Sequence, residues 1–422
     1  MSLVKTSILN GIAVAVKVAS ALVLNKILAV YVGPAGYAII GQFQNVVSIV
    51  VNLAGGVVAT GVTKATAQHF DNHAKQHAVW QTAIRFSLVA SVIAGVSLLF
   101  AANWLSAWLL HSADMSNIFV WLALTLPAMA ANNLLLAIVN GKKEVNIYVA
   151  ANIIGSLISL LIIGLLAYNF GLYGALVAFT INPAIVLFST ATMVARRDWF
   201  KAKFLWGQLD GHALRQLSGF GLMGLTSAMT VPVSYMLVRN HLTTDLGLMS
   251  AGFWQASWKI SEIYLMLVTT TLSVYYLPRL AEIRSASELS AEIFKVYRFV
   301  MPIVLTGAAT IFLLRDFIIH TLFTQDFLPM RELFSWQLAG DVMKIGSWIT
   351  GYVLIGRGMV KVFMSVEIIF SISFVLLSWV FVNLWGLQGV PIAYTVNYFF
   401  CWLYVVYWVV QEIRRMELEH AP

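Results

Sequence analysis

Residues 147–195 read IYVAANIIGSLISLLIIGLLAYNFGLYGALVAFTINPAIVLFSTATMVA, without one Asp, Glu, Lys or Arg. A helix needs about 20 mostly apolar residues to cross the hydrocarbon core of a bilayer. The stretch suffices for two crossings, and Asn169-Phe170-Gly171 marks where the chain turns back. The reading is two membrane helices, 147–169 and 173–195, with no room for a domain between them. Working outward, the same pattern predicts helices at 4–31, 36–66, 80–102, 117–140, 214–240, 248–278, 294–314, 332–356, 361–384 and 389–411. Gly33-Pro34-Ala35-Gly36 and Trp385-Gly386 are further tight turns. Composition agrees: the chain is 60% hydrophobic and 10% charged, where a soluble domain carries about 25% charged residues. The expected fold class is an all-α polytopic membrane protein of about twelve transmembrane helices.

Alternate loops differ in charge. Cations gather around Lys64–Arg85, Lys142-Lys143, Arg196–Arg215, Arg279–Arg298, Arg357–Lys361 and Arg414-Arg415, while the intervening loops carry almost none, Arg315–Glu332 being mixed. The positive-inside rule puts the cationic loops and both termini in the cytoplasm, and it accounts for the net charge of +8 without nucleic acid. Lys17 interrupts the first apolar run and no clean small-residue cleavage site follows, so that run is expected to be a retained helix rather than a signal peptide. Cys401 is the only cysteine, which excludes an intramolecular disulfide and a cysteine-based metal site.

The second helix opens Gly36-x4-Gly41-x2-Gln44 and the eighth Gly247-x4-Gly252-x2-Gln255, six helices apart. That spacing points to a parallel repeat of two six-helix lobes, residues 1–200 and 214–422, with 201–213 as a cytoplasmic linker.

Several polar residues sit where burial should be costly. Gln255, Lys259 and Glu262 fall on one helical face, as do Gln337, Asp341 and Lys344; Asn10 and Lys17 share a face of the first helix. A charge at the bilayer centre costs about 2.5–3.5 kcal/mol on insertion scales, so these side chains should face protein or a watery cavity. Lys259 with Asp341 and Glu262 with Lys344 would be sign-matched pairs. Pairing cannot absorb everything, because Lys17, Lys26, Lys64, Arg239, Lys259 and Lys344 outnumber Glu262, Asp341 and Glu367. Lys26 and Arg239 could snorkel to the interface; the remaining excess is best explained by an anionic guest. His69, His73 and His77 have metal-like spacing but sit in a polar loop and read as a solvated connection. Trp254, Trp258, Trp336 and Trp348 read as packing or interface anchors. There is no Walker loop, no GxSxG and no metalloprotease helix, so no ATP-driven transport within this chain is expected.

The stretches Met1–Lys5, Lys26-Ile-Leu-Ala29 with Gly33–Gly36, Gly61-Val-Thr-Lys64, Ser273–Pro278, Leu314–Phe317 and, most specifically, Phe334-Ser-Trp-Gln-Leu-Ala-Gly-Asp-Val-Met-Lys344 resemble the Wzx-type flippases of lipid-linked oligosaccharides. That family, which serves O-antigen and enterobacterial common antigen synthesis, lies in the multidrug/oligosaccharidyl-lipid/polysaccharide exporter superfamily. The resemblance implies two six-helix lobes around a central cationic cavity in the bacterial inner membrane. The cavity would accept undecaprenyl-pyrophosphate-linked oligosaccharide from the cytoplasmic leaflet and release it to the periplasmic one. Polysaccharide polymerase and chain-length machinery are then candidate partners, and no cofactor is implied. By position, Lys26, Lys64, Arg239, Glu262, Asp341, Lys344 and Glu367 match charged or polar positions of the family, whereas Lys259 departs from a small polar residue and could tune glycan choice. Gln44, Gln255 and Gln337, with Asn10, are candidate polar lining. Two other readings stay open: a cation-coupled small-molecule exporter, which an interior cation excess disfavours, and a polymerase or ligase, which should carry a larger and better-equipped outer loop.

Overall fold

The computed structural model describes residues 3–205, 207 and 210–419, with the side chains of all of these except 3–10, 202–203, 212–223, 271, 274, 281 and 419. Among them the only regular secondary structure is helical, and the chain divides into two compact units, Met1–Pro232 and Val233–Pro422.

The quoted stretch forms α5 (Val145–Ala195) in the first unit. Straight, its 51 residues would extend about 76 Å at 1.5 Å each, more than twice the ~30 Å hydrocarbon thickness. It bends instead at Gly171, whose φ of 57° and ψ of −135° lie outside helical space and in a region open essentially to glycine. The same solution recurs almost to the degree at Gly386 (φ 58°, ψ −138°), between α12 (Val360–Trp385) and α13 (Gly389–Glu419). In α1 (Leu3–Val51), Gly33 (φ 68°) breaks the helix immediately before Pro34. A π-turn at Asn52–Gly56 then leads into α2 (Val57–Gln68). α3 (His73–Leu109) is N-capped by Asn72, whose side chain accepts from Lys75 N at 3.1 Å. α4 (Asn117–Gly141) packs against α3 and α5, and α1 against α5.

The remaining elements are α6 (Gly211–Leu246), α7 (Leu248–Thr271), a π-turn at Leu272–Tyr276, α8 (Leu277–Glu282), α9 (Ala286–Leu313), α10 (Arg315–Leu322), a 3₁₀ segment Gln325–Leu333 and α11 (Phe334–Gly356). With α1 and α5 each broken in two at their glycines, α2 continuing the second half of α1, α8 continuing α7 and the eight-residue α10 set aside, twelve long segments result among the described residues. Their order is the one expected from the sequence.

α11 is central to the second unit, packing on α13, α9, α8 and α7. Lipid tails are as apolar as a leucine face, so membrane helices associate through close packing that small residues permit. Gly340 and Gly346 supply it: a Cβ on Gly340 would stand 2.6 Å from Tyr394 Cε1, and one on Gly346 2.8 Å from the Trp402 ring. Both rings of α13 therefore lie directly on the α11 backbone. At one end of the unit, Arg357 donates to Ile283 O at 3.0 Å and pairs with buried Glu412 at 3.6 Å, tying the end of α11 to the chain after α8 and to α13.

Candidate functional site

The close approach at Gly340 sets the next residue. Asp341 is fully buried, and a carboxylate without water must collect its hydrogen bonds from protein. It accepts from Ser261 Oγ at 2.6 Å, Tyr394 OH at 2.9 Å and Gln337 Nε2 at 3.5 Å. One turn on, Lys344 is 5% exposed. Its ammonium lies 4.5 Å from the Trp258 ring centre, 4.8 Å from Trp348, 5.3 Å from Tyr398 and 5.6 Å from Tyr394. Cation–π attraction gains strength when the charge is desolvated, and the charges of Asp341, Glu262 and Glu367 also act on this lysine. Arg239 on α6 is buried at 2%; it donates to Gln255 Oε1 and stands 5.4 Å from the Trp254 ring. Tyr235 links the two centres, edge-on to Trp254 at 6.2 Å and to Trp258 at 4.7 Å. The second unit thus holds an acid, an ammonium and a guanidinium in a scaffold of rings, hydroxyls and amides.

The sign-matched pairs expected from the sequence do not form. Lys259 reaches Glu262 at 2.6 Å along its own helix, the two side chains being 26% and 55% exposed. The reason is local: an i,i+3 neighbour on a helix is always within reach, whereas Asp341 is already coordinated by hydroxyls. The face carrying Gln255, Lys259 and Glu262 runs from buried to exposed along α7. A half-exposed pair of this kind contributes about 0–1 kcal/mol. Lys259→Ala is therefore expected to shift thermal unfolding in detergent by no more than that, and exchanging Lys259 with Asp341 should restore nothing lost in either single variant.

In the first unit Lys17 and Lys64 are exposed, while Lys26 and Gln44 are partly buried. Asn10 falls among the side chains outside the described residues. The two glycine-glutamine motifs differ in backbone: Gly247 has φ 85° and precedes α7, whereas Gly36 lies inside α1 after the break at Gly33. Glu367 is partly buried on α12. His69 closes α2 while His73 and His77 begin α3, so the three do not share one helix. No group of three or more His, Cys, Asp or Glu among the described residues could hold a metal ion.

Sequence reading misses Tyr235, Ser261, Tyr394 and Tyr398; Trp254, Trp258 and Trp348, read as packing or interface anchors, do pack, against Arg239 and Lys344. The i,i+4 spacing of Tyr394 and Tyr398 was the available signal; hydroxyls at tertiary distance carry none until the glycine contact between α11 and α13 is known.

Among the described residues six stretches of helix are long and apolar enough to cross a membrane, three of them exceeding 50 residues. The helices build a class of fold, the multi-pass membrane proteins. The chain superposes on an inward-facing multidrug resistance MATE family transporter of the MOP superfamily with a TM-score of 0.82 at 17% identity, covering 96% of each chain. It matches the outward-facing conformation of such a transporter with a TM-score of 0.70 at 17% identity over 97% of each. At that identity the likeness concerns the fold. Residues 27–332 match the polysaccharide biosynthesis protein family, and the chain belongs to it. It is 33% identical over 400 residues to the lipid III flippase of Escherichia coli (strain K12), covering 94% of this chain and 96% of that protein, and equally to that of Shigella flexneri. The resemblance drawn from Phe334–Lys344 and its companion stretches agrees.

Proposed function

We propose that this chain is an inner-membrane flippase that moves an undecaprenyl-pyrophosphate-linked oligosaccharide of the lipid III type from the cytoplasmic to the periplasmic leaflet by alternating access. The observation that carries this reading is the 33% identity to lipid III flippases over 94% of the chain. The physics of the task fits. The lipid tail can remain in hydrocarbon, but a pyrophosphate and its sugars cannot cross unaided, because burying ionised or unpaired polar groups is prohibitive. Cations lower that barrier: at an effective dielectric of ~20, one charge pair at 4 Å is worth about 4 kcal/mol. In this reading Lys17, Lys26, Lys64, Arg239, Lys259 and Lys344 receive the pyrophosphate. Asn10, Gln44, Gln255 and Gln337 offer polar lining, and Glu262, Asp341 and Glu367 balance the lysines or couple transport to an ion. Residues 1–200 and 214–422 act as two six-helix lobes joined by 201–213, with both termini cytoplasmic. Polymerase and chain-length machinery receive the flipped unit. The chain is a transporter and not an enzyme.

The test is complementation. In cells lacking their own lipid III flippase, expression should restore the surface polysaccharide and clear lipid-linked units from the inner leaflet. A membrane-inserted chain that leaves those units on the cytoplasmic side overturns the proposal.

A further inference from the structure

The first unit contains a cavity of about 270 Å³ between α3, α4 and the second half of α5, closed at one end by Phe200 and Leu205. Its wall is apolar apart from Ser87, whose buried hydroxyl has no hydrogen-bond partner among the described residues. Water needs two to four polar partners to occupy such a space, so water does not account for it.

The cavity is not sealed. Ile84, Leu88, Leu187 and Phe200 in its wall are partly exposed, and the neighbouring Phe86, Val89 and Phe188 are exposed large apolar residues, Phe188 at 73%. In a membrane protein such a surface meets lipid chains. The end that Phe200 closes belongs to a strap over residues 196–205. It is built rather than loose: Trp199 donates to Glu144 Oε1 at 3.1 Å and lies edge-on to Trp80 at 6.0 Å, while Phe204 stacks on His77 at 4.1 Å. Lys142 stands 5.7 Å from the Trp199 ring, and burial pulls its ammonium below the usual lysine range. The strap's sequence RRDWFKAKFL holds four cations and one acid, Asp198. Arg196, Arg197 and Lys201 are exposed, Arg85 on α3 directly follows Ile84 of the wall, and none of the four makes an ion pair among the described residues.

We infer that this is a resident site for an anionic phospholipid, with one acyl chain in the cavity between α3, α4 and α5 and the headgroup phosphate on Arg85, Arg196, Arg197 and Lys201. An apolar slot facing acyl chains, together with cations on the strap lining it and beside Ile84 of its wall that make no ion pair among the described residues, fits an amphiphile with a negative head. The bilayer itself supplies phospholipid in large excess over any other such molecule. The inference does not depend on what the protein transports.

The test uses the full chain purified in detergent. Native mass spectrometry should detect one phosphatidylglycerol per chain surviving delipidation, and thermal unfolding should rise on adding phosphatidylglycerol but not phosphatidylcholine. Ala131→Phe, which fills the slot, should abolish both effects. Because that variant could misfold, a second is needed: Arg196→Gln/Arg197→Gln/Lys201→Gln alters exposed side chains only and should cut the preference for phosphatidylglycerol at least tenfold. The inference fails if phosphatidylglycerol and phosphatidylcholine act alike on the unaltered chain, if the rim variant keeps the preference, or if undecaprenyl phosphate displaces phosphatidylglycerol at equal concentration.

Discussion

Replacing Asp341 by alanine is expected to destabilise the second unit by about 2–6 kcal/mol, the cost of leaving the two buried hydroxyl donors Ser261 and Tyr394 without their acceptor at about 1–3 kcal/mol each, and to abolish transport. The size follows from what remains. The hydroxyls of Ser261 and Tyr394 lose the acceptor they share, and buried Lys344 loses the negative charge that stands one helical turn away, with Glu262 and Glu367 still acting on it. Asp341→Asn keeps an acceptor for Ser261 while removing the charge, so it should cost roughly half as much. The informative variant is the double one. Removing both buried charges together leaves neither one uncompensated in the interior, so Asp341→Asn/Lys344→Met should regain most of the stability. If the charges serve transport, the double variant unfolds near the original temperature in detergent yet leaves surface polysaccharide absent. If it exports normally, Asp341 and Lys344 are architectural and the substrate is handled elsewhere.

The fold was legible in the sequence because its signals are long. Twenty-residue apolar runs and the glycine turns at 33, 171 and 386 need no tertiary knowledge, and all three turns appear with positive φ. The site was legible only in part. Spacing placed Asp341 and Lys344 on one helical face, and both are buried there. Spacing could not say which hydroxyls or rings face them, because those arrive from α7 and α13. Ser261 sits between Lys259 and Glu262, and the eye goes to the charges; it is the serine that reaches Asp341. The pairing error has the same root: matching signs across helices ignores the partner already present three residues away. The π-turns at Asn52–Gly56 and Leu272–Tyr276 were not foreseen either, since an i→i+5 ring leaves no compositional trace.

The first of those π-turns carries the other large expected effect. Gly55 has φ 149° and ψ −10° in the middle of a membrane segment, a backbone state that side chains with a Cβ rarely adopt. A Cβ there would run into Ser87 Oγ and stand 3.0 Å from Ser87 Cβ. Gly55→Ala therefore combines a dihedral cost of about 1–3 kcal/mol with an overpacking cost of about 1–3 kcal/mol. Together these should lower thermal unfolding in detergent severely and remove export. The two terms separate in a cycle. Ser87→Gly alone should cost about 1 kcal/mol as a glycine within α3. In the double variant the clash disappears while the dihedral cost stays, so the pair should show a favourable coupling of roughly 1 kcal/mol or more. The π-turn in α7–α8 sits farther from its glutamine than the first does from Gln44, so the two segments match in kind and not residue by residue. Both nonetheless interrupt the helix that follows the first turn of its unit, and π-bulges concentrate where helices must bend for function. If Gly55→Ala retains stability and still exports, the bend is incidental. If the double variant recovers stability without export, the backbone conformation at Gly55 is itself needed for the motion.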